Sequence, residues 1–403
     1  LKGRYVKGDI PRLRIAEVVS SFYPNVGGLE NAVYFLSKEM VELRHEVHVF
    51  TLSKIPKKQT SKENFGKISL HRIWTPFYHL PLEPFPVILK DISLFDVIHV
   101  HSIHNLLNLQ AMFASKVLGI PLVVTLFSVG DLMKHPRLTI RLLGGFFEKV
   151  GLSMARFADV IHVKNIRDRA LLLKLGFNKR KIHVIPDGVP DYALASIDGN
   201  IFRSKYGLAN KRIVLYVGRL QYPKGPQVLL RAAPKVIRCV PNTVFVFMGS
   251  DAGIMDELLS TASSLGIEGH ILLLGYVSEL TKFQAYAACD LLVLPSLYDY
   301  VEAYSIVTSE AWAQGKAVIA TMVGSMPYRI KHRVNGLLVP PGDSVKLAGA
   351  IIEVLKNPEM SRRLGENGKS EVHTWREVAQ AIQKVYFEAV QKRRCKDCSE
   401  GVE

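Results

Sequence analysis

The feature that most constrains this chain is an alternation that occurs twice. Short apolar runs at Leu13–Ser20, Glu46–Leu52, Val97–His101, Leu122–Thr125 and Val160–Val163 read as strands, and residues 27–44 and 106–118 show apolar positions at helical spacing. Strands that alternate with helices imply a parallel sheet covered on both faces. The series halts at a polar, turn-rich stretch around Asp187 to Asn200. It then restarts with runs at Ile213–Val217, Val244–Met248, Ile271–Leu274, Leu291–Leu294, Ala317–Ala320 and Leu337–Val339. The chain is therefore read as two doubly wound, Rossmann-like α/β domains, 1–195 and 196–374. Residues 375–403 form a helix, Trp375–Arg394, that crosses back toward the first domain and ends in a polar tail. Ligands of open α/β sheets bind beyond the carboxyl ends of the strands, so two such domains facing a central cleft place the chemistry on post-strand loops.

Bulk properties narrow the class. Hydrophobic residues at 48% and charged residues at 22% exclude disordered and fibrous chains. No uncharged apolar run reaches the roughly 18 residues of a membrane span, and Glu17 interrupts the only N-terminal run that resembles a leader. Of the four cysteines, Cys239 and Cys289 lie in runs that read as buried, and the Cys395/Cys398 pair lacks a second pair to hold zinc. A cytoplasmic location is expected. The net charge is +16, and the first 200 residues carry +10 of it, which favours anionic partners. No aromatic-basic motif supports nucleic acid.

Two constellations carry chemistry. In LLVLPSLYDYVEAYSIVTSEAWAQGKAVIA, Leu291 to Ala320, a strand ends in a loop that passes Glu302 before a helix carrying Glu310. With the helix starting near Tyr304, its free N–H groups suit a phosphate, and Glu310, over one turn inside, suits both hydroxyls of a ribose. Glu302 suits sugar hydroxyls or the positive charge of a transition state. In YVGRLQYPKG, Tyr216 to Gly225, a strand ends at Gly218 and presents Arg219 and Lys224 on a turn. Two cations there suit a diphosphate leaving group without magnesium, and no Asp-x-Asp pair stands at a strand end to hold a metal. No metal and no cofactor are expected.

Nearly the whole chain resembles the family 4 glycosyltransferases, retaining enzymes of the GT-B fold. Carrying the resemblance are a glycine loop with Gly27, Gly28 and Glu30, IHVHS with His99 and His101, VIPDGV at Val184–Val189, the Arg219/Lys224 loop, the acid pair and NGLLVPPGD at Asn335–Asp343. It implies that Gly27 and Gly28 lie at the cleft floor, that Arg219 and Lys224 bind the diphosphate, that Glu302 contacts the transferred sugar and that Glu310 binds the ribose. It adds Gly218, Ser305, Ile306 and Val277 to the donor contacts. Glu302, Arg219 and Lys224 are the catalytic residues so implied.

The chain also departs from the family. Phe127 stands where a His usually contacts the donor sugar, which suggests a deoxy or pentose donor or a rearranged site. Ser305 stands where Gly is usual, and Gly324-Ser325 where two Gly are usual. His99 and His101, alternating along one strand, are expected on opposite sides, with His101 toward the cleft. His101, Phe127 and Asp131 are the candidate acceptor or sugar contacts, and Asp187 a site edge.

The expected function is metal-independent, retaining transfer of a hexosyl or related group from a nucleotide-sugar to a lipid-linked or other glycan acceptor. Attack on the leaving-group face is preferred to a covalent intermediate. A non-catalytic nucleotide-sugar-binding protein and an epimerase of the same fold are the alternatives. For His135 to Val160, whose apolar residues are interleaved with Arg137, Arg141, Lys149 and Arg156, two readings stay open: a helix packed on its own sheet, or one lying on the inner face of an anionic membrane.

Overall fold

The computed structural model of the protein describes residues 11–25, 27–53, 61–74, 92–131, 133, 135 and 137–400. It divides into two compact units. Unit 1 takes residues up to Asp187 together with the chain from Trp375, and unit 2 runs from Gly188 to Thr374.

In unit 1 the strands β1 (Arg14–Val18), β2 (Glu46–Ser53), β3 (Ser61–Phe65), β4 (Ile68–Trp74), β5 (Val97–His101), β6 (Leu122–Leu126), β7 (Val160–Val163) and β8 (Ile182–Val184) form one sheet in the order β3-β4-β2-β1-β5-β6-β7-β8. All neighbours are parallel except β3 and β4. The helices α1 (Gly28–Glu42), α2 (Leu106–Leu118), α3 (Leu138–Ala155) and α4 (Ile166–Lys174) connect the strands. Asn105 and Asn165 start α2 and α4, each side chain accepting a free N–H of the first turn. The helix that ends the chain, α13 (Trp375–Glu400), belongs to unit 1 and packs against α1, β5, β6 and β7.

Unit 2 holds a six-stranded parallel sheet, β11-β10-β9-β12-β13-β14, built from β9 (Arg212–Val217), β10 (Thr243–Met248), β11 (Ile271–Gly275), β12 (Leu291–Leu294), β13 (Ala317–Thr321) and β14 (Leu337–Val339). Its helices are α5 (Gly199–Lys205), α6 (Pro226–Cys239), α7 (Met255–Ser264), α8 (Glu279–Ala288), α9 (Ile306–Ala313), α10 (Met326–Arg329), α11 (Ser344–Lys356) and α12 (Pro358–Lys369). Every residue of β10, β12 and β13 is buried, as a sheet covered on both faces requires.

The boundary read at 195 lies at Asp187. Residues 188–195 pack on unit 2, where Val189 pairs with Thr374 and Gln314 Nε2 donates to the carbonyls of Ala193 and Ala195. Cys289 is buried as expected, whereas Cys239 is exposed at the end of α6, and the side chains of Cys395 and Cys398 fall outside the described residues.

Each sheet reverses its winding once. In unit 1 the chain leaves β1 for β2 on one side and later for β5 on the other; in unit 2 β9 stands between β10 and β12 in the same way. At such a switch point two adjacent post-strand loops turn opposite ways and leave a crevice for a ligand.

Candidate active site

The loops after β9 and β12 flank the switch point of unit 2. Gly225 makes their approach possible. Its φ is +74°, and a Cβ there would lie 1.9 Å from the carbonyl oxygen of Pro295, so only glycine fits. The approach brings Lys224 to Glu302. Lys224 Nζ donates to Glu302 Oε1 and to the Val301 carbonyl, both at 2.8 Å, and Ser296 Oγ donates to the same Oε1 at 2.6 Å. Glu302 is buried, and among the described residues its Oε2 has no hydrogen-bond partner. Arg219 is exposed on the first loop, its backbone carbonyl pinned by Tyr216 Oη at 2.8 Å. Gly218 precedes it at the strand end.

Below Glu302 the chain turns through Tyr304 and Ser305 into α9. The helix begins at Ile306, two residues later than the sequence suggests, so Glu310 is its fifth residue. Ser305 has φ +64°, the left-handed region that glycine prefers, which explains why the family's usual Gly suits this position. Arg329 holds the strained turn: its Nη1 donates to the carbonyls of Tyr304 and, at 2.7 Å, Ser305, its Nη2 donates to Ser309 Oγ at 2.8 Å, and its guanidinium lies 3.8 Å from the centre of the Tyr304 ring. Ser305→Gly is expected to stabilise unit 2 by about 0.5–1 kcal/mol, less whatever the 3.1 Å Thr308–Ser305 hydroxyl bond contributes. Scanning calorimetry should show a rise of about 2–4 °C in Tm.

Glu310 is buried and already engaged. Lys282 Nζ donates to its Oε1 and Tyr286 Oη to its Oε2, both at 2.8 Å. Burial alone would push the Lys282 ammonium down, but the Glu310 and Glu279 charges outweigh it and hold it above the usual lysine range. A ribose would share oxygens that each carry one bond. Val277 and Ile306 are half-buried at the edges of the same loops. Gly324 closes the site from the β13 side: its N–H donates to Asp299 Oδ1 at 2.8 Å, and a Cβ there would lie 2.4 Å from the Glu302 carbonyl.

In unit 1 the row of carboxyl ends carries His101 on β5, Phe127 after β6, Lys164 after β7 and Asp187 after β8. Lys164 Nζ donates to Asp187 at 2.7 Å and lies 5.4 Å from the Phe127 ring centre, so the phenyl ring faces a buried cation. Asp131 does not face this row: it is buried in a two-armed ion pair with Arg167. His99 and His101 lie on the same side of the sheet, against the expectation of opposite sides, because side chains two residues apart on a strand share a face. Their rings are 4.0 Å apart and both reach Glu17 on β1. Gly27 caps α1 in extended conformation, and a Cβ on Gly28 would meet no atom of the chain, so the fold itself does not demand glycine there.

Sequence reading missed Glu17, Ser296, Lys282, Tyr286 and Lys164. Glu17 left a signal, an acid inside a core strand, beside a His-x-His strand.

Residues 26–191 match the family model described as Glycosyltransferase Family 4, and residues 199–371 the one described as Glycosyl transferases group 1. An uncharacterized glycosyltransferase of Methanocaldococcus jannaschii is 27% identical over 93% of this chain and 98% of its own. The D-inositol 3-phosphate glycosyltransferase of Frankia alni is 28% identical over 91% and 95%. Among solved structures, Anabaena HepE in complex with UDP-glucose superposes with a TM-score of 0.74 at 21% identity, covering 93% of this chain and 99% of that one.

Proposed function

The chain belongs to the family 4 (group 1) glycosyltransferases, two α/β units of GT-B type, and from that premise we propose that it moves a sugar, with retention and without a bound metal, from a nucleotide-sugar to a lipid-linked glycan acceptor. The observation that carries the reading is the cluster at the switch point of unit 2: buried Glu302 gripped by Lys224 and Ser296, with Arg219 exposed beside it.

In this reading Arg219 and Lys224 meet the charge that develops on the diphosphate as the bond from the anomeric carbon to the phosphate oxygen breaks. The acceptor hydroxyl attacks from the same face, forming the new C–O bond, and its proton passes to the departing phosphate oxygen. Glu302, with Oε2 unpartnered, accepts sugar hydroxyls and offsets the positive charge at the anomeric carbon. Glu310 takes the ribose hydroxyls, and Gly218, Ser305, Ile306 and Val277 line the donor. Gly27 and Gly28 give a ligand's phosphate or sugar room that the fold alone does not require. The lysine–phenyl pair of Phe127 and Lys164 offers no hydrogen bond where a histidine would, which favours a donor sugar lacking one hydroxyl.

A membrane-borne acceptor is favoured by α3. The helix buries Gly145, Glu148, Gly151, Leu152 and Ala155 on unit 1, while Leu138, Leu142, Leu143 and Phe146, on the other side, are each more than half exposed. Arg137, Arg141 and Lys149 flank them, and an open apolar cavity of about 480 Å³ lies where Met154 meets Phe113 and Val117 of α2. An apolar stripe with a basic border suits an anionic bilayer surface. Among the described residues no helix is long and apolar enough to cross a membrane.

The test is transfer from a panel of nucleotide-sugars, with excess chelator, to lipid-linked and soluble acceptors. Transfer that survives chelation supports the metal-free reading; loss restored by one divalent ion overturns it. Phe146→Asp is expected to cut sedimentation with anionic vesicles at least tenfold while leaving turnover of a soluble acceptor unchanged. Unaltered vesicle binding would sink the membrane arm.

A further inference from the structure

The Glu17 cluster of unit 1 lies under α13, at the switch point between β1 and β5, and every proton in it is fixed by its neighbours. The Ile185 carbonyl can only accept, so the 2.8 Å contact from His162 Nε2 carries a proton on that nitrogen. Burial holds the His162 imidazole well below its usual range, hence neutral, and its Nδ1 must accept the Thr125 hydroxyl proton at 2.8 Å. Thr125 Oγ1 has then spent its proton and accepts from His99 Nε2 at 2.6 Å. Tyr386 Oη donates to Glu17 Oε1 at 2.7 Å, so its lone pair receives His99 Nδ1–H, also at 2.7 Å. His99 thus carries two protons and lies 3.2 Å from the Glu17 carboxylate as its counter-charge.

The chain of bonds ends on His101. Glu17 Oε2, acceptor only, takes the proton of His101 Nε2 at 2.6 Å. Burial first, then the His99 charge, push the His101 imidazole down to about 4, against the pull of Glu17, so it carries one proton and that proton is on Nε2. Its Nδ1 is left with a bare lone pair. Among the described residues nothing donates to that atom, and it is not sealed in the way His104 Nε2 is.

We infer that His101 Nδ1 accepts a hydrogen bond from a hydroxyl of the acceptor substrate, and that Glu17 of β1 and Tyr386 of α13 are positioning residues that fix this tautomer. The inference rests on the transfer reading above. His101 ends β5 beside the switch point of unit 1, where an open α/β sheet takes its ligand, and a neutral lone pair there can accept a hydroxyl proton and so orient that hydroxyl. The arrangement is that of a carboxylate setting the tautomer of a histidine.

Nitrogen-15 spectra of ring-labelled protein read the tautomers directly. His101 is expected as the Nε2–H form between pH 6 and 8; an Nδ1–H form of His101 would overturn the inference whatever the enzyme's activity. Tyr386→Phe, which keeps the buried ring, removes the donor to Glu17 Oε1 and should lower the share of the His101 Nε2–H form. His101→Gln keeps a donor toward Glu17 but moves the acceptor from the Nδ1 position to an amide oxygen, and is expected to raise the acceptor KM about 10- to 100-fold with nucleotide-sugar binding by calorimetry unchanged. A folded His101→Gln with wild-type acceptor KM would refute it. Absence of transfer by the wild-type protein, with the tautomers as stated, would instead count against the transfer reading alone.

Discussion

Glu302→Gln is expected to lower kcat about 10²- to 10³-fold, or about 3–4 kcal/mol of barrier, while nucleotide binding changes less than threefold. The side chain keeps its shape, so the fold has little to readjust. What goes is a negative charge in a buried position, held by Lys224 at 2.8 Å and Ser296 at 2.6 Å. A charge fixed before the reaction begins costs no reorganisation when the anomeric carbon becomes positive, which is why its removal falls on kcat rather than on binding. Lys224 retains the Val301 carbonyl and is about a quarter exposed, so water replaces the lost partner and the stability cost is small. Single-turnover transfer alongside nucleotide calorimetry checks this. Turnover within fivefold of wild type would remove Glu302 from the reacting centre, and a matching loss of nucleotide affinity would make it a binding group.

Much of the frame was legible because a sheet buried on both faces writes itself as apolar runs. Eleven such runs coincide with strands of the two sheets. The hairpin β3–β4 left a fainter mark, since an edge hairpin alternates polar and apolar residues, as in Ile68 to Trp74, and joins its strands through Gly66-Lys67. β8 is three residues long, too short for any pattern. The Arg219/Lys224 and Glu302/Glu310 pairs were legible because charges on post-strand loops have few structural uses.

Charges inside a core are another matter. Glu17 reads locally as an interruption of an apolar run; its meaning comes from His99 and His101 on the next strand and from Tyr386, 369 residues away. The same holds for Lys282 and Tyr286, which reach Glu310 from the neighbouring helix, and for Lys164 with Asp187. Such partners are chosen by topology. Once the strand order β2-β1-β5-β6-β7 is known, Glu17, His99, Thr125 and His162 fall on one face of adjacent strands by register alone.

That buried polar face makes unit 1 the acid-sensitive half of the molecule. Ten of the 13 histidines lie in the first 187 residues. Burial, assisted by Arg12 at His45 and by His99 at His101, pushes both imidazoles down from 6.5 to about 4; burial alone does so at His104, which is partly exposed and counts for less. A depressed group contributes stability that is fully present above its unfolded value and is lost as pH falls toward its folded one. The window is therefore pH 6.5 to 4, and His45 and His101 each forfeit about 3 kcal/mol across it. His162, held lower still, adds a loss of the same sign. Asp168 runs the other way: burial raises its carboxyl from 3.8 to about 6, so acidification recovers about 3 kcal/mol there, and Glu148, also raised by burial, acts likewise. The histidines outnumber these two, and below about pH 4.5 Glu17 joins them, because its depressed carboxylate must protonate inside the cluster. The net loss is several kcal/mol against a usual total of about 5–15. Hydrogen exchange by mass spectrometry should show peptides of β1, β5 and β6 losing protection between pH 5 and 4 while those of β9, β12 and β13 remain protected. His104→Leu, which removes an unpaired buried nitrogen along with a titrating group, should move the unit 1 transition to lower pH. A transition shared by both units, or one that appears first in unit 2, would mean that the buried carboxylates offset the histidines in full.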